Sequence, residues 1–205
     1  MFIFAHIGIG RKIASPWSRG LPLWPLVLGC LLPDIIDKPL FYGFRFLHWS
    51  AGESVITGTR TFGHTAILLI LILAVSGILK SKTLSAVSLG MATHLLLDNV
   101  GDHLHGVFSA HTLGTSGSLG TFGTPNSASI ALLWPLLGVH FASFPFSSLH
   151  EHLMHGLQPE ILIGEVLGLL FIAWDYWKSE NKAELHRVLF SRRYRLLRRH
   201  RWGRD

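Results

Sequence analysis

The sequence predicts an all-α fold: a polytopic membrane helix bundle with broken or re-entrant helices and a basic C-terminal tail. Three observations predict it. The chain is 49% apolar and only 15% charged, against about 25% charged residues in soluble domains. His103 to His150 contains no Asp, Glu, Lys or Arg. The net charge of +6 is unevenly placed: residues 178–205 carry ten Lys and Arg against Glu180, Glu184 and Asp205, so this stretch is +7 and residues 1–177 are −1. The expected organisation is a membrane helical domain over 1–177 and a basic amphipathic tail over 178–205.

The elements follow in order. Phe2 to Ala14 is apolar around His6 and reads as a short helix, one candidate for lying in the interface. No cleavable signal peptide is expected, because Arg11 and Lys12 follow the apolar start rather than precede it. Ser15-Pro16 and Gly20-Leu21-Pro22 mark a connector. Leu23 to Leu32 is too short to cross a bilayer of about 30 Å untilted. Pro33 then breaks it, which predicts a half-length or broken helix delivering Asp34 and Asp37. Leu40 to Thr59 reads as a surface connection. Phe62 to Leu79 is the strongest transmembrane candidate, Lys80-Ser81-Lys82 a polar turn, and Thr83 to Leu97 the second arm of an antiparallel hairpin.

Asn99 to Ser127, with six Gly and eight Ser or Thr, predicts a long loop, a feature that is usually functional or disordered. Ala128 to Phe146 is apolar and interrupted by Pro135 and Pro145, so it either spans or re-enters. Ile161 to Trp177 reads as a further membrane helix. The single Cys30 excludes an internal disulfide.

The chemistry concentrates at the end of the hairpin. His94 and Asp98 are i,i+4 in an apolar helix and share one face. Such groups are costly to bury unless they bind each other, another helix or a metal. His64 lies 16 residues before Lys80, and His94 and Asp98 lie 12 to 16 residues after Lys82. At about 1.5 Å per residue all three reach a similar depth. Two His and one Asp suit a divalent metal such as zinc. Asp34 and Asp37 repel unless a cation or proton lies between them; the alternative is a helix N-cap after Pro33.

Arg60, four residues before His64, would share its face in a helical start and suits a phosphate oxygen; its alternative is a snorkelling interfacial Arg. His103, His105 and His111 follow Asp98 and either serve the same face or are solvated. His150-Glu151-His152 does not match the zinc-protease helix, which needs His at i and i+4, because position 154 is Met. Glu165 reads as a dipole or interhelical partner. The tail from Arg192 to Arg201 interleaves basic and apolar residues and suits anionic lipid headgroups. Nucleic acid is not an expected partner.

Leu32-Pro33-Asp34-Ile-Ile-Asp37-Lys-Pro39, Arg60-Thr-Phe-Gly63-His64-Thr65 and Thr93-His94-Leu-Leu-Leu-Asp98 stand in that order after His6-Ile-Gly8. Over residues 1–146 this resembles the family of predicted membrane-bound metal-dependent hydrolases, small multi-span inner-membrane proteins. The resemblance implies a metal site built from His6, Asp34, Asp37, His64, His94 and Asp98. One departure stands out: members that carry a His five residues before the one matching His64 have it where this chain has Thr59.

The expected function is therefore a divalent-metal-dependent hydrolase, zinc being the favoured ion, in the cytoplasmic membrane of a prokaryote. Asp34, Asp37 and Arg60 are its candidate catalytic groups, and a lipid or lipid-linked ester or phosphoester is its substrate class. The alternative is a non-enzymatic membrane metal-binding protein or a transporter with intramembrane His and Asp.

Overall fold

The computed structural model describes residues 3–46, 58–112, 127–141, 154, 157 and 159–178. The fold is all-α: six helices and one 3-10 turn occupy the described residues, which hold no strand. The elements are α1 (Ile3–Ala14), α2 (Leu23–Phe46), the 3-10 turn Phe62–His64, α3 (Ala66–Leu79), α4 (Lys82–Thr112), α5 (Ser127–Leu132) and α6 (Pro159–Lys178).

Helix α4 is the hub. It packs against α1, α2, α3 and α5, while α1 also lies along α6. The α2–α4 crossing is close because its contact residues are small. A Cβ on Gly29 would strike the Val87 backbone, and one on Gly90 would strike the backbone of Leu26 and Cys30. Leu26, Cys30 and Ala86 pack there with Ala14 from α1. Close backbones bring the polar residues of the next turns, Asp34 and His94, within reach of one another.

The α3–α4 hairpin is fixed at both ends. Thr65 caps α3 by accepting from the Leu68 amide at 3.2 Å. At the other end Lys80 takes a left-handed conformation (φ 48°), and the Ser81 amide donates to the Ser76 carbonyl at 3.0 Å. Ser76 and Ser85 then join the arms through their hydroxyls at 2.7 Å.

Two expectations are corrected. First, α2 is not half-length or broken; it runs on through Pro33 and Pro39 to Phe46. Each proline removes a ladder donor, but the close packing on α4 outweighs that loss. Residues 40–46 are therefore helix rather than a surface connection. Second, α4 continues to Thr112, so the expected loop begins no earlier than residue 113. Asp102 in this stretch pairs with Arg60 and accepts from the Ala128 amide, which ties the extra turns to their neighbours. Helix α1 is the short helix expected around His6, and it packs on α2, α4 and α6 with Ala5, His6 and Gly8 buried.

Among the described residues no helix is long and apolar enough to cross a membrane. Helix α3 is apolar but has only 14 residues, about 21 Å. Helices α2 and α4 are longer but carry Asp34, Asp37, Lys38, Asp98 and Asp102. Residues 142–153, where the apolar segment ends and the His150 cluster begins, lie outside the described residues, as do His155 and the tail 179–205.

Apolar side chains are exposed on two helices while several polar ones are buried. Ile70, Leu71 and Ile78 on α3 and Ile163 and Leu170 on α6 are exposed, whereas His6, Asp37, His64 and His94 are buried.

Candidate metal centre

Four chain segments bring the polar groups together. His94 and Asp98 project from consecutive turns of α4, as their i,i+4 spacing requires. Asp34 and Asp37 project from the turn of α2 that follows Pro33. His64 ends the 3-10 turn, which is pressed against α2: a Cβ on Gly63 would meet the Pro33 carbonyl and the Asp37 carboxylate. His6 arrives from α1 and stacks on His94, with ring centroids 3.8 Å apart.

The hydrogen bonds assign the imidazole protons. His94 Nδ1 lies 2.7 Å from the Cys30 carbonyl. A carbonyl only accepts, so Nδ1 carries the proton and Nε2 of the neutral ring carries a lone pair. His64 Nδ1 lies 2.7 Å from Asp37 Oδ2; the carboxylate accepts, and in the neutral ring Nε2 of His64 is again left with a lone pair. These two Nε2 atoms face each other at 3.2 Å. Asp98 Oδ2 stands 3.4 Å from His64 Nε2 and 3.8 Å from His94 Nε2. Asp34 Oδ1 lies 3.8 Å from His64 Nε2. On the far side, His6 Nε2 is 3.4 Å from Asp98 Oδ1. Both ring nitrogens of His6 are buried without a hydrogen-bond partner among the described residues.

Acceptors facing acceptors need a positive charge between them, either a shared proton or a cation. Two donors each about 2.0–2.1 Å from one tetrahedral ion stand about 3.3–3.4 Å apart. The triangle of His64 Nε2, His94 Nε2 and Asp98 Oδ2, with sides of 3.2, 3.4 and 3.8 Å, is close to one face of such a tetrahedron. Two overlapping donor sets could hold an ion: His6, His94 and Asp98, and Asp34, His64 and His94. His94 has one free nitrogen, so both sets describe alternatives around a shared ligand. The charges agree. Asp34, Asp37, Asp98 and Asp102 face Lys38 and Arg60, leaving two negative charges while the histidines are neutral. One divalent cation cancels them.

Of the places open to Asp37 (ligand, base or partner of a ligating His), its hydrogen bonds match the last. Its Oδ1 accepts from the Thr61 hydroxyl at 2.9 Å and the Gly63 amide at 2.8 Å. Its Oδ2 accepts from the Thr61 amide at 2.6 Å and from His64. With its oxygens committed and no exposure to solvent, Asp37 stands behind His64 and fixes that ring's tautomer and direction. Arg60 is placed differently from expectation. It precedes the 3-10 turn rather than sharing a helical face with His64. Its guanidinium binds Asp98 at 3.0 Å and Asp102 at 2.6 Å. Burial opposes its charge, yet Asp98 and Asp102 outweigh burial and raise the Arg60 pKa above its ordinary value.

Lys38, Asp102, Thr61 and the Cys30 carbonyl belong to the site without having been singled out. Lys38 Nζ holds Asp34 Oδ2 at 2.6 Å, which turns Oδ1 toward His64. Its i,i+4 spacing from Asp34 was a readable signal. So was that of Asp102 from Asp98, had α4 been carried on. His103 is exposed on α4; the side chains of His105 and His111 lie outside the described residues. Comparison with protein-family models, curated proteins and solved structures finds no match for the chain.

Proposed function

We propose that the chain is a membrane-embedded, divalent-metal-dependent hydrolase with zinc as its ion. The observation that carries this reading is the pair of lone-pair-bearing Nε2 atoms of His64 and His94, 3.2 Å apart beside Asp98. The ordered motifs around His6, Asp34, His64 and His94, which resemble the membrane-bound hydrolase family, support it. The apolar exterior of α3 and α6 around a polar centre supports the membrane location, in this reading the cytoplasmic membrane of a prokaryote.

In this reading His64, His94 and Asp98 hold the ion, with His6 and Asp34 completing its surroundings. A divalent ion bound there supplies Lewis acidity toward a substrate oxygen and toward water. Asp37 holds the Nδ1 proton of His64 and so turns its Nε2 toward the ion. Arg60 holds Asp98 in place and offsets its charge. Asp34 is the most accessible carboxylate facing the ion, its side chain 16% exposed against 5% for Asp98. It therefore stands where a water proton can be taken. Lys38 and Arg60, 29% and 21% exposed, mark the open side. The substrate class this suits is an ester or phosphoester of a lipid or lipid-linked molecule.

The test is hydrolysis of phospholipids and lipid phosphates in vesicles by purified protein. Wild type should turn over one of these classes. Chelation, His94→Ala and Asp34→Asn should each reduce the rate at least about a hundredfold. The near-complete burial of His6, His64 and His94 favours a second reading, a protein that holds metal without catalysis. Stoichiometric metal with no turnover of any lipid class would select it.

A further inference from the structure

His6 has no side-chain bond of its own to hold it. Its ring rests on His94, and neither nitrogen has a hydrogen-bond partner among the described residues. Its position is therefore set by the backbone of α1. That backbone is gripped from α6 at three levels. Near the start of α1, Glu165 receives the Phe4 amide on Oε2 at 3.0 Å and the Ala5 amide on Oε1 at 3.1 Å. At the middle, Gly8 and Gly168 are in backbone contact, so a Cβ on either would strike the other helix. At the far end, Lys12 and Arg11 pair with Asp175.

We propose that Glu165 is a positioning residue for the metal centre, setting the depth at which His6 meets His94 and Asp98. The inference rests on the metal reading above. Ala5, one of the two residues whose amides Glu165 binds, is the neighbour of His6. A slide of α1 by one residue moves the ring about 1.5 Å, whereas ligand distances tolerate about 0.2 Å. A carboxylate suits the task because it accepts both first-turn amides at once and opposes the positive end of the α1 dipole. Gly8 and Gly168 let the helices touch but leave sliding possible; the bidentate Glu165 contact fixes the register.

The test uses the purified full chain and cobalt(II), read by chelator competition and by the visible absorption of the bound ion. Glu165→Ala should weaken cobalt binding about tenfold or more, and its spectrum should take the form given by His6→Ala. Adding Glu165→Ala to His6→Ala should cause no further loss, whereas adding it to Asp34→Ala should multiply the two losses. Glu165→Gln keeps one acceptor oxygen, should fall between wild type and Glu165→Ala, and carries the same tests if the alanine variant does not fold. An unchanged affinity and spectrum, or an equal loss with and without His6, overturns the proposal while leaving the metal site intact. Absence of cobalt binding by wild type instead removes the metal reading, and this inference with it.

Discussion

The functional reading turns on where two protons sit. The Cys30 carbonyl and the Asp37 carboxylate each claim the Nδ1 proton of a histidine, so His94 and His64 present lone pairs to a common point. His94→Ala or Asp98→Ala should each remove most bound divalent metal, as elemental analysis would register. Asp37→Asn is a finer probe. Asparagine keeps a single carbonyl oxygen, so Thr61, Gly63 and His64 cannot all be satisfied. Metal affinity should fall about 10–100-fold with the ligands themselves intact. Full affinity in Asp37→Asn would remove the orienting role given to it.

The helices place these residues, and here the sequence was readable in part. The hairpin could be read from Phe62 to Leu97 because an apolar run, a Lys-Ser-Lys turn and a second apolar run leave little alternative. Its arithmetic put His64, His94 and Asp98 at one depth. The prolines of α2 and the glycines after Asn99 misled for a common reason: local breaking tendencies yielded to tertiary contacts on α4. Those contacts, Gly29 against Val87 and Asp102 against Arg60, join residues tens of positions apart and leave no local signature. Gly90→Ala tests the crossing, because its methyl group would meet the backbone of α2. It should destabilise the fold by about 1–3 kcal/mol in chemical unfolding and lower metal content with it. An alanine variant with wild-type stability would argue against this close crossing.

At the scale of the molecule, a site with two negative charges in excess while its histidines are neutral would tie stability to a bound cation. Removing the metal with a chelator should lower the melting temperature. At a free metal concentration a thousandfold above Kd the linkage is worth about 4 kcal/mol. The tail, which lies outside the described residues, is expected to act separately. Truncation after residue 191 should weaken binding to anionic vesicles and leave metal content unchanged; loss of metal on truncation would show that the tail serves the site. The central claim is tested most directly by the metal content of purified wild-type protein beside the His64→Ala/His94→Ala double variant, measured by elemental mass spectrometry. The account predicts on the order of one divalent ion per chain in the wild type and close to none in the variant. A wild type that binds no divalent ion under metal-replete conditions, or a double variant that binds as much as wild type, would contradict it.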